Sequence, residues 1–169
     1  MPIKYKITIF TLMFVFLLNT SNANQIDKVA KFKDWEVMIL KGENEKTCFA
    51  QSKPILQSPK KQDREARLFV SFRPNDKIID EISVTSGYEY NKQNLVTAIS
   101  GKKKYKFDIT QDDFSWIANI KIEKKMIKTM KKGSRIMITG YNKSGSQTID
   151  HYSLMGFSKA YESAKKNCK

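Results

Sequence analysis

Between Asp34 and Phe72 apolar and polar residues alternate. In DWEVMIL, Trp35, Val37 and Ile39 alternate with Glu36 and Met38, the period of two expected of a strand with one buried face. KTCFAQS places Cys48 and Ala50 on one side and Thr47 and Phe49 on the other. Pro54, Pro59 and the charges of PILQSPKKQDRE mark a loop, after which ARLFVSF resumes the alternation with Leu68, Val70 and Phe72. IIDEISVTSG, NLVTAIS and KKYKFDI follow at the close spacing of sandwiches and barrels. Phe114 and Trp116 beyond them read as core packing.

The period then changes. IKIEKKMIKTMKK carries Ile122, Met126, Ile127 and Met130 at helical spacing, with Gly133 as the stop. SRIMITGY and QTIDHYS return to strand character around NKSGS, a turn in which Gly145 can take a positive φ, so the two form a hairpin. In SLMGFSKAYESAKKNC, residues Leu154, Phe157, Tyr161, Ala164 and Cys168 recur at intervals of three and four and share one helix face, while Lys159, Glu162, Lys165 and Lys166 face water. A terminal helix of this kind can lie across a sheet and bring Cys168 to the strand of Cys48.

The first residues combine a basic start (Lys4, Lys6), an apolar run from Ile7 to Leu18, and small residues at Ser21 and Ala23, which reads as a secretory signal peptide cleaved after Ala23. The run is shorter than the ~20 residues a membrane span needs. No second apolar run follows, so residues 24–169 are expected as a single domain without a transmembrane span. The chain has two cysteines, Cys48 and Cys168, outside any C-x-x-C arrangement. An exported thiol pair is expected to close as a structural disulfide, the alternatives being two free thiols or an intermolecular bridge.

The formal net charge of +14 loses only Lys4 and Lys6 with the leader. Such a charge favours anionic partners. Two clusters are candidates for an anion-binding face: Lys102, Lys103, Lys104 and Lys106 in GKKKYK, and then Lys121, Lys124, Lys125, Lys128, Lys131 and Lys132 on the middle helix. The competing reading is of solvated lysines on a hairpin and on the outer side of a helix. Nucleic acid is a poor fit, because no aromatic residues interleave at base-stacking spacing, Tyr105 excepted.

Catalytic patterns fail on inspection. Gly156-Phe-Ser-Lys-Ala160 approximates the nucleophile elbow, but that motif needs a later histidine, and the single histidine, His151, precedes it. One histidine and two distant cysteines cannot build a zinc site. Acid pairs for glycoside hydrolysis could be drawn from Asp76, Asp80, Glu81, Asp112 and Asp113, but 17 acidic residues supply such pairs by chance. The expectation is therefore no catalytic residue, no metal and no cofactor.

The order of parts resembles the invasion-associated locus B family of Gram-negative bacteria. The resemblance rests on the W-x-V strand at Trp35, the Cys48 strand, the tryptophan at 116, the short helix ending Met130-Lys-Lys-Gly133, the hairpin, and Tyr152-Ser-Leu-Met-Gly-Phe-Ser-Lys-Ala160 running to Cys168. It implies an immunoglobulin-like antiparallel β-sandwich with a disulfide joining Cys48 to Cys168. It also implies a periplasmic or outer-envelope protein, and the lysine clusters add the expectation that it touches anionic envelope components or another envelope protein. Members in pathogens are linked to host-cell entry, and no catalytic residues carry over. A host-contact adhesin and an envelope polysaccharide-acting hydrolase are the alternative functions.

Overall fold

A computed structural model describes residues 25–43, 45–60 and 64–169. The signal-peptide reading falls on residues outside these. Two antiparallel sheets face each other. The larger runs in the order β1 (Gln25–Phe32), β2 (Trp35–Lys41), β3 (Lys46–Ser52), β5 (Arg67–Arg73), β6 (Ile78–Thr85), β10 (Phe114–Trp116), β9 (Ile109–Gln111). The smaller runs β4 (Leu56–Ser58), β12 (Gln147–Ser153), β11 (Arg135–Tyr141), β7 (Val96–Ser100), β8 (Lys103–Phe107). The mainly β architecture, the hairpin of β11 and β12, and the helices α1 (Ile120–Lys132) and α2 (Phe157–Asn167) follow the sequence pattern.

Alternation sets the inner faces. Trp35 stands opposite Ser52, Val37 opposite Ala50 and Ile39 opposite Cys48, and Cys48 and Ala50 stand opposite Phe72 and Val70. All are buried, and all but Ser52 form one core with Val96, Ala98, Phe107, Ile136, Ile138 and Tyr152 of the smaller sheet. The smaller sheet leaves part of the inner face of its partner uncovered, and α2 fills that part. Phe157 packs edge-on against Trp35 with ring centroids 4.8 Å apart, and Tyr161 packs against Phe72 at 5.4 Å. Cys168, at the helix end, is bonded to Cys48 with the Cα atoms 5.7 Å apart.

The turn into α2 is fastened to the first hairpin. Trp35 Nε1 donates to the Ser153 carbonyl (2.9 Å) and the Asp34 amide to the Met155 carbonyl (3.3 Å). Gly156 has φ +93°, and a Cβ there would lie 1.9 Å from the Phe32 carbonyl oxygen, so only glycine fits. The S-L-M-G-F stretch is thus a structural clasp between the first hairpin and α2. Gly133 does end α1, but with extended backbone rather than a left-handed turn; its small size matters because a Cβ would crowd Leu154 and Ser100.

Three expectations change. The loop read in PILQSPKKQDRE contains β4, which adds to the edge of the smaller sheet beside β12. KKYKFDI is not one strand: it divides at Asp108 into β8 and β9, which belong to different sheets. Phe114 and Trp116 are half-buried on the outer face, because Ser115 takes the inward position and its hydroxyl bonds to the Ile109 carbonyl at 2.9 Å. They extend a row of rings with Phe69 and Phe49, spaced 5.7–6.0 Å between neighbours.

Candidate anion-binding groove

The division at Asp108 determines what happens to the lysines. β8 pairs with β7 alone, and α1 lies beside it, spanning from β8 of one sheet to β6 of the other. Along β8, Tyr105 and Phe107 point inward and are buried, while Lys103, Lys104 and Lys106 are exposed. Three contacts fix α1 in place. Asn119 Oδ1 caps its N-terminus by accepting from the Lys121 amide at 2.9 Å. Tyr105 Oη lies 2.6 Å from Thr129 Oγ1 and 3.3 Å from the Lys125 carbonyl. Met126, Ile127 and Met130 are buried beneath.

The result is a groove of about 590 Å³ between the β8 edge and α1. Tyr105, Ile117 and Ile122 make an apolar floor, and Lys103, Lys104, Lys106, Lys125 and Lys128 surround it. An adjoining hollow of about 510 Å³ shares Lys103, Lys128 and Thr129 and adds Lys132 and Arg135. Asp108 is the one carboxylate among the described lining residues, and its Oδ1 accepts the Ala118 amide at 2.8 Å. Two lysine clusters separated in sequence therefore form one basic trough with an apolar floor.

Not every candidate lysine reaches it. Lys103, Lys104, Lys125 and Lys128 line the groove and Lys132 the adjoining hollow. Lys102 is exposed at the β7–β8 turn, and Lys124 is exposed on α1, outside both. Lys131 turns to α2, where Nζ lies 2.7 Å from Glu162 and 3.9 Å above the Tyr161 ring. Lys106, the last residue of the first cluster, also lines the groove, and Arg135 joins the trough without having been singled out. Lys106 shares a strand face with Lys104, a signal present in KKYKF; Arg135 enters only because β11 lies beside β7.

The acids are dispersed. Asp76 pairs with Arg73 at 3.0 Å, Asp80 is buried and accepts from the Tyr161 hydroxyl at 2.5 Å, and Asp112 and Asp113 are exposed in the β9–β10 turn. Glu81 lies in a second cleft of about 490 Å³, where it meets Arg73 through two hydrogen bonds of 2.7 and 2.9 Å. Glu123, unnoticed in the sequence, also reaches that cleft. It is buried, accepts the Ile82 amide at 2.9 Å, and has its pKa pushed up to about 7, first by burial and further by Glu81 and Asp80. Its carboxyl occupies the edge of β6 where β10 has ended.

The described residues contain no grouping of three or more potential metal ligands. They also contain no helix long and apolar enough to cross a membrane.

Fold and site together define a disulfide-clasped, two-sheet β protein with a basic groove along one open edge. Residues 35–165 match the family described as invasion associated locus B (IalB) protein, from the Trp35 strand to the last turn of α2. The chain belongs to that family, and membership points to an envelope-associated protein. No curated protein and no solved structure is significantly similar to it.

Proposed function

We propose that the protein is an exported, non-catalytic binding module of the periplasm or outer envelope, released from its leader after Ala23. Its working surface is the groove between β8 and α1, and its ligands are anionic envelope components or an acidic envelope protein. The observation that carries this reading is the convergence of Lys103, Lys104, Lys106, Lys125 and Lys128 on an apolar floor with Asp108 alone to offset them. Lysines that served only solubility would have no reason to ring one depression. The alternative of hydrolysis draws on Glu81 and Glu123 sharing a cleft with Trp116. There the double hydrogen bond from Arg73 and the bond from the Ile82 amide give both carboxylates structural work.

The test is capture from isolated envelopes. The immobilised protein should retain anionic material at low salt and release it as ionic strength shortens the screening length from ~30 Å at 0.01 M to ~8 Å at 0.15 M. A Lys103→Glu, Lys125→Glu, Lys128→Glu variant should retain none of it. Capture that ignores both salt and these substitutions contradicts the reading.

A further inference from the structure

We propose that the groove receives an extended acidic peptide segment, which adds as a strand to the free edge of β8. The inference rests on the reading of the groove as a binding site and specifies its occupant.

Four consecutive residues, Lys103 to Lys106, line the groove. Side chains of successive strand residues point to opposite faces, so a strand can present four in a row only by turning its backbone edge toward the opening. β8 hydrogen-bonds to β7 on one side and to no strand on the other. Every second residue therefore directs an N–H and a C=O away from β7, ready to pair with an added strand. On the far side of the groove stands α1, fixed by its Asn119 cap, by Tyr105 and Thr129, and by the bond from the Ile82 amide to Glu123. A strand edge facing a fixed helix is a ready slot for an extended peptide, with backbone bonds supplying affinity and alternate side chains supplying selectivity.

The slot also states what chemistry it accepts. One side-chain parity of an added strand would face the floor of Tyr105, Ile117 and Ile122, and the other would meet the lysines. The preferred segment alternates apolar and acidic residues over about five positions, the length of β8, or roughly 17 Å. A second copy of this chain does not fit, because its own β8 would bring Lys103, Lys104 and Lys106 against the same residues. Lysines on an edge exclude self-pairing, and an acidic partner turns that repulsion into attraction.

The experiment uses the 15N-labelled protein with its disulfide intact and five probes: the blocked peptide Val-Glu-Val-Glu-Val-Glu, its lysine counterpart Val-Lys-Val-Lys-Val-Lys, two forms of the acidic peptide N-methylated at alternate amides along one edge or along the other, and dextran sulfate. The acidic peptide should slow hydrogen exchange at alternate β8 amides. N-methylation of the edge that pairs with β8 should weaken it at least tenfold, whereas methylation of the opposite edge should not. The lysine peptide should not bind. If both methylated peptides bind as well as the parent, or β8 amides stay unprotected, strand addition is overturned. If dextran sulfate binds through Lys103, Lys125 and Lys128 while the acidic peptide does not, the groove stands as an anion site and this inference falls. If neither binds, both readings fall.

Discussion

Trp35 Nε1 donates a hydrogen bond to the backbone carbonyl of Ser153 at 2.9 Å, across 118 residues of sequence. That bond, the Asp34–Met155 contact and the Cys48–Cys168 disulfide fasten α2 to the first three strands at both ends of the helix.

The clasp is tight enough to rank its substitutions. Trp35→Phe leaves the Ser153 carbonyl unpaired in a buried site and should cost about 1–3 kcal/mol. Gly156→Ala meets both the left-handed backbone and the Phe32 carbonyl, so it should cost about 3 kcal/mol or more. Urea unfolding monitored by tryptophan fluorescence should place Gly156→Ala at the lower midpoint.

At another place between the sheets Arg64 and Asp150 form a buried pair, with contacts of 2.6 and 3.0 Å. The guanidinium also donates to the Ser86 carbonyl at 2.8 Å and lies over the Tyr88 ring. Asp150→Ala strands a buried cation and should lose roughly 3–5 kcal/mol. Replacing both partners, as Arg64→Met with Asp150→Leu, should recover most of that loss. A thermal melt of the single and double variants measures it.

Glu123 gives stability a pH dependence opposite to that of an ion-paired acid. Its folded pKa of about 7 exceeds the ordinary 4.5, so between those values the unfolded chain has released a proton that the folded chain retains. The unfolded state then gains, and this residue's contribution falls as pH rises through that window, levelling off above about 7, by a few kcal/mol at most. Glu123→Gln preserves an acceptor for the Ile82 amide and should abolish that part of the slope. Urea midpoints at pH 5 and pH 8 for both proteins provide the check.

Reduction should loosen the C-terminal end first. Chain-entropy reasoning assigns a bridge across 120 residues roughly 5 kcal/mol, an upper range that unfolded-state structure lowers. Cys48→Ala with Cys168→Ala should lower the urea midpoint and raise amide exchange in α2 before it does so in β11 or β12.

Periodicity explains why much of this was readable. The strands of Trp35, Cys48 and Leu68 and the helix stripes, with Cys168 on a buried one, follow from spacings of two and of three to four. What depended on topology was hidden. Arg64 sits in a charged stretch that reads as solvated, and nothing local announces Asp150, 86 residues on. The outward turn of Trp116 follows from Ser115 taking the buried slot, where the hydroxyl finds a carbonyl partner that sequence does not display. The lysines were visible as two clusters; that they form one groove depends on the chain changing sheets at Asp108, which leaves β8 at an edge with α1 beside it. Lys131 shows the converse, since its cluster membership gave no hint of its pairing with Glu162.

The most direct test of the groove compares two variants of equal charge. One carries Lys103→Glu, Lys125→Glu and Lys128→Glu inside it; the other carries Lys102→Glu, Lys124→Glu and Lys159→Glu at exposed positions outside it. Binding of each to dextran sulfate, measured by calorimetry at 50 mM salt, should be lost in the first and close to wild type in the second. Equal weakening of both would mean that net charge alone attracts the ligand, and would contradict the assignment of a site.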